Sequence, residues 1–156
     1  MGYKLGTVDG KAVLIKENSY YDIATLSNGA ISSDSVEALK FQSKLSELFE
    51  SLDEKSATGN LSDVELGNPV PNSPNCYAVG LNYRKHAEES GMDIPEVPMI
   101  FTKHTSCFVG PKANVEMRSD YVDWEVELVA VIGKDGKNIP KENALDHVAG
   151  LCVGQD

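Results

Sequence analysis

Chemistry is most plausible in the stretch Asp123-Trp124-Glu125-Val126-Glu127-Leu128-Val129-Ala130-Val131-Ile132-Gly133. Side chains alternate faces along an extended strand, so Asp123, Glu125 and Glu127 fall on one face and Trp124, Val126, Leu128 and Ala130 on the other. Past Glu127 the acidic face turns apolar at Val129 and Val131, which leads the strand from an acidic end into a core. Two carboxylates about 7 Å apart along a strand repel unless a cation lies between them. Oxygen ligands of this kind suit magnesium, calcium or manganese better than zinc. The same pattern also describes a solvated acidic strand face. A second pair, His86 and Glu89, stands three residues apart and shares one face of a helix. There too a plainer reading stands beside it, with Lys85 and Glu89 as an exposed i,i+4 ion pair.

The elements that must position these groups are readable from pattern. Tyr3 to Thr7 and Lys11 to Lys16 read as strands joined through Val8-Asp9-Gly10, since Asp-Gly is a strong hairpin signal. Glu17 to Ser32 reads as irregular, anchored by Tyr20, Tyr21 and Ile23. Ser33 or Asp34 caps an expected helix to about Glu54, with Val36, Leu39, Leu45, Leu48, Phe49 and Leu52 at helical spacing. Three prolines in the eight residues from Asn68 to Asn75 mark a boundary, giving a small N-terminal domain over 1–70 and a second unit over 71–156. The second unit opens with a short strand, Cys76 to Gly80. A helix capped by Asn82 and closed by Gly91 follows, then a strand at Met99 to Lys103. After the acidic strand come a short helix, Pro140 to His147, and a final strand, Ala149 to Gly154.

With 24 acidic against 14 basic residues and a net charge of −10, the chain lacks the basic footprint that nucleic acid requires. No apolar run approaches the ~20 residues of a membrane span, and the N-terminus lacks a secretory pattern. Three widely spaced cysteines do not form a disulfide framework, so a reducing cytoplasm is the expected location. The cysteines read as core or near-core thiols, and His104 and His147 as ordinary polar residues.

From Cys76 onward the sequence resembles the fumarylacetoacetate hydrolase family. The residues carrying the resemblance are Gly80-Leu81-Asn82-Tyr83 with His86 and Glu89, then Phe101 and Lys103, then Gly110-Pro111. Trp124-Glu125-Val126-Glu127-Leu128 with Val131-Ile132-Gly133 follows, and Ala149-Gly150 leads on to Asp156. The resemblance implies a mostly β, α+β fold: a mixed β-sandwich roll, here incomplete, behind a small α+β N-terminal domain. It implies that Glu125, Glu127 and Asp156 hold magnesium or manganese, with calcium a further candidate. His86 and Glu89 are implied as an acid/base dyad on a helix that forms part of a lid. Lys103 has two readings, facing a substrate carboxylate or resting with its amine in water.

The implied activity is metal-dependent hydrolytic or lyase cleavage of a C–C bond in a small 1,3-diketo or 2-oxo acid. The alternatives are isomerisation, decarboxylation or hydration of 2-oxo-dioic ring-cleavage products, or an inactive metal-binding fragment. The family continues beyond Asp156 for roughly as many residues again, so the resemblance implies the front portion of a longer protein that forms a homodimer at full length.

Overall fold

Asp9 and Gly10 both adopt left-handed backbone, with φ of 50° and 74°. That is the geometry of a two-residue hairpin turn whose twist matches its strands. The turn joins β1 (Lys4–Val8) to β2 (Lys11–Lys16), and the computed structural model, which describes residues 2–156, continues into β3 (Ser19–Asp22). With the two-residue β4 (Gly59–Asn60) these form one antiparallel sheet in the order β1-β2-β3-β4. The region Glu17 to Ser32, expected to be irregular, therefore contains β3 and a short helix α1 (Ile23–Leu26). A four-residue strand is too short to display a period of two, and its pairing with β2 from Val13↔Asp22 to Lys16↔Ser19 decides its state.

The helix expected from Asp34 to Glu54 is broken. It comprises α2 (Ser35–Ala38), a 3-10 turn at Leu39–Phe41, and α3 (Gln42–Glu50). Phe41, at φ −110° and ψ 38°, leaves the helical region and makes the break. The expected cap is present: Asp34 Oδ1 accepts from Val36 N at 2.9 Å and Glu37 N at 3.1 Å. Its other oxygen accepts from Asn72 Nδ2 at 2.8 Å, tying the proline-rich segment to the helix start.

These hydrogen bonds, led by that from Asn72, hold the Asp34 carboxyl below its ordinary value. Asp34→Ala should lower the stability of this region by about 1 kcal/mol. A depressed carboxyl stabilises above its unfolded value, so the difference should vanish as pH falls through the folded value. Urea titrations of both proteins at neutral pH and near pH 3 check this.

Helices and sheet bury one apolar cluster of Ala12, Leu14, Tyr21, Ile23, Ile31, Ala38, Leu45 and Leu52. All of it lies in the first third of the chain. The second half contains two antiparallel pairs: β5 (Cys76–Gly80) with β6 (Met99–Lys103), and β7 (Val126–Ile132) with β8 (Val148–Gln155). Between β5 and β6 lies α4 (Arg84–Glu89). Tyr83, not Asn82, occupies its N-cap position, and no side chain caps it. Its C-terminus closes as expected on Gly91, at φ 64°, with Met92 N donating to Ala87 O at 3.0 Å. The segment before β8 is a 3-10 helix, Lys141–His147.

The two parts touch at named points. Gly67 N donates to Thr7 O at 2.9 Å, and Leu66 bridges to Val8. Gln42 Nε2 donates to Gly133 O at 3.3 Å, where a Cβ on Gly133 would stand 2.5 Å from that of Ala149. Only glycine fits there.

Candidate metal and acid/base site

The β7–β8 ladder pairs Val126 with Gln155 and Glu127 with Gly154. Asp156 N donates to Glu125 O at 2.8 Å, which adds one rung and sets Asp156 opposite Glu125. Directly opposed residues share a face, as do residues two apart along a strand. Glu125, Glu127 and Asp156 therefore occupy one face at one end of the ladder. Asp123 lies two residues further from the strand than Glu125, and its carboxylate accepts from Trp124 N at 2.8 Å.

Among the described residues, no three His, Cys, Asp or Glu side chains close into a cluster able to hold a metal ion. A cation already meets the carboxylate face. Lys103, at the end of β6, places Nζ 2.6 Å from Asp156 Oδ1. The bond to Asp156, helped by the charges of Asp156 and Glu125, holds the ammonium above the ordinary lysine value. The Phe101 ring lies 5.3 Å from the same nitrogen, close enough for a cation–π contact. Lys103 thus meets a carboxylate of its own chain while its side chain stays about one-third exposed. An all-oxygen donor set on one face, attractive enough to seat an ammonium, suits a hard divalent cation such as magnesium, manganese or calcium.

His86 and Glu89 both lie on α4, exposed, as their spacing predicts. No hydrogen bond joins them among the described residues. The helix is fastened ahead of them and between them. Ala87 is fully buried, and the Tyr83 hydroxyl accepts from Leu128 N at 3.3 Å, one residue beyond Glu127. Tyr83 thus links the start of α4 to the strand that carries Glu127. Leu81, just before it, takes φ of 50°, a left-handed backbone unusual for leucine. Sequence reasoning placed Tyr83 and Phe101 in matching motifs but gave them no role.

The remaining groups are accounted for structurally. His147 Nδ1 lies 2.9 Å from Lys134 O, bracing the segment between β7 and β8. Cys76 and Cys152 are half-buried, and burial pushes the Cys152 thiol up, as suits an inert sulfur. Cys107 departs from the expectation of core or near-core thiols, since it is exposed in the 3-10 turn after β6. No helix among the described residues is long and apolar enough to cross a membrane.

Comparison with known proteins fits this arrangement. Residues 75–156 match the family described as fumarylacetoacetate (FAA) hydrolase C-terminal. A mitochondrial oxaloacetate tautomerase, fahd2, of Xenopus laevis is 42% identical over 97 residues, covering 61% of this chain and 30% of that protein. The fumarylacetoacetate hydrolase domain-containing protein 2 homolog of Dictyostelium discoideum is 48% identical over 80 residues, covering 50% of this chain and 26% of its own length. The matched stretch is thus under a third of these relatives.

Among solved structures, a putative HpcE protein from Mycobacterium smegmatis superposes with a TM-score of 0.86 at 37% identity, covering 97% of this chain and 54% of that one. A fumarylacetoacetate hydrolase from psychrophilic Exiguobacterium antarcticum gives 0.70 at 26% identity, covering 100% and 55%. The strand-rich α+β fold is the one these proteins share, and the chain belongs to the fumarylacetoacetate hydrolase family of enzymes.

Proposed function

We propose that this chain carries the metal-holding and acid/base groups of an enzyme that cleaves a C–C bond in a small acylpyruvate-like 1,3-diketo or 2-oxo acid. In this reading residues 1–70 form a small N-terminal domain and 71–156 the first part of the catalytic domain, and the working enzyme is a homodimer. The carrying observation is the single face shared by Glu125, Glu127 and Asp156, with the Lys103 ammonium drawn onto it.

When bound by the three carboxylates, magnesium or manganese would polarise a chelated carbonyl and favour its enol form. The chain's own residues do the rest. Glu89 orients the His86 imidazole once a ligand draws α4 over the site, and a ring nitrogen of His86 takes a proton from water. The hydroxide so formed adds to the acyl carbon, and the bond from that carbon to the methylene breaks. Its electron pair stays on the methylene, which recovers the proton from His86 to leave pyruvate and a carboxylic acid. Lys103 faces the substrate carboxylate.

A second reading, tautomerisation of oxaloacetate, draws on the names of several relatives. It needs only the proton-transfer half of this scheme, with His86 moving a proton between carbon and the enol oxygen. The test uses the natural gene product that carries this chain, supplied with magnesium or manganese and then stripped by a chelator. Metal-dependent pyruvate release from an acylpyruvate supports cleavage. Keto–enol interconversion of oxaloacetate without pyruvate release supports the second reading. No turnover of either substrate with either ion overturns both.

A further inference from the structure

Lys103 is engaged with a carboxylate that the proposed function needs for metal. Its Nζ sits 2.6 Å from Asp156 Oδ1, with both side chains about one-third exposed. Three carboxylates on one face carry three negative charges, and among the described residues this ammonium is the cation in ion-pair contact with one of them. One positive charge lowers the repulsion among them without cancelling it. The ammonium is not loosely placed, because the Phe101 ring at 5.3 Å flanks it on its own strand. The opposing position in the ladder is Cys76, which brings no competing charge.

We infer that Lys103 is a resident counter-cation for Asp156, which a divalent ion displaces as it binds. This deepens the proposed function and rests on it. The oxygen that holds the ammonium at 2.6 Å is one the metal would also draw on, and a dication beside Asp156 repels the lysine charge, so ion binding and the Lys103–Asp156 contact compete. The bound ion also supplies two positive charges that the carboxylates no longer draw from lysine. The freed ammonium, held near the face by the β6 backbone and Phe101, then has the substrate carboxylate as its natural partner. The order follows: metal first, oxo-acid second. Lys103 thus holds Asp156 before the ion arrives and meets the substrate carboxylate afterwards, and the pair lowers affinity for the bare metal to gain a cation aimed at substrate.

The test reads Mn²⁺ affinity by electron paramagnetic resonance of the free ion, using the natural gene product that carries this chain, without substrate. Lys103→Met, and independently Lys103→Gln, should bind Mn²⁺ about tenfold more tightly than wild type, since both the competitor and a repelling charge are gone. Lys103→Arg should stay near wild type. In an Asp156→Asn background the gain from Lys103→Met should shrink, because the residue it competes for no longer carries charge.

A direct measurement needs no variant. A crystal structure of the wild-type protein with Mn²⁺ bound should show Lys103 Nζ more than about 4 Å from Asp156, beyond ion-pair distance. Unchanged or weaker Mn²⁺ binding in both neutral variants overturns the inference, as does a contact that persists with the ion in place. Failure of every protein, wild type included, to bind Mn²⁺ or Mg²⁺ removes the metal reading itself. That outcome is distinct from wild-type binding that Lys103 does not affect.

Discussion

His86→Ala is expected to cut turnover of the preferred oxo-acid by about 10²-fold or more while leaving Mn²⁺ affinity within error of wild type. Glu127→Gln should instead reduce both. The contrast follows from where the two residues lie. Glu127 is on β7, on the face shared with Glu125 and Asp156, and a neutral amide there removes one charge from an all-carboxylate set. His86 lies on α4, a six-residue helix fastened through the Tyr83 hydroxyl to Leu128 N. It is exposed and unbonded to Glu89, so under the proposed function its contribution would arise only with the helix closed over bound substrate. Steady-state kinetics and metal titration on each variant make the comparison. Unimpaired turnover in His86→Ala would reduce His86 to a surface residue. Equal loss of metal binding in both variants would mean that α4 supports the carboxylate face and has no separate chemical role.

What the sequence made legible was local. The Asp9-Gly10 turn, the Asp34 cap, the Gly91 helix stop and the four strands of the second half each follow from a few adjacent residues, and the structure contains them all. The carboxylate face was half legible. Alternation alone puts Glu125 and Glu127 together, whereas Asp156 joins them only through the register that sets Val126 against Gln155. That register is a tertiary fact spanning 29 residues.

The same reason hid the rest. The Tyr83–Leu128 bond crosses 45 residues and the Lys103–Asp156 pair 53, and no periodicity encodes either. The break at Phe41 escaped because Leu39, Leu45, Leu48 and Leu52 keep helical spacing across it, and apolar spacing does not reveal one residue's backbone angles. Val126, Leu128 and Ala130 share one side of the strand as alternation places them, but alternation does not say what packs against that side.

That face leads to the other large expected effect. Val126, Leu128 and Ile132 of β7 stand on one face with Leu151 and Val153 of β8, and all are exposed, Val153 at 77%. Trp124, just ahead of β7, is 84% exposed. The β5–β6 pair shows the same imbalance through Tyr77, Val79 and Ile100. A two-stranded ribbon is marginal in water even without such a surface, and a contiguous apolar face of this kind favours association. The N-terminal sheet differs, since Leu14, Ile23 and Leu45 are fully buried against it.

The 156-residue chain made alone is therefore expected to behave as two regions of unequal stability. Amide hydrogens of β1 and β2 should exchange slowly and together, and those of β7 and β8 faster by orders of magnitude. Sedimentation should show association that grows with concentration. Replacing Leu128 and Val153, which face each other across the ladder, with threonine should suppress that association without altering unfolding of the N-terminal region. The isolated chain should also show no oxo-acid turnover, because a ribbon this exposed does not hold Glu125, Glu127 and Asp156 within the ~0.5 Å that a working site needs. A monomer at every concentration, with uniform amide protection and metal-dependent activity, would show instead that β7 and β8 hold their geometry with the apolar face in water.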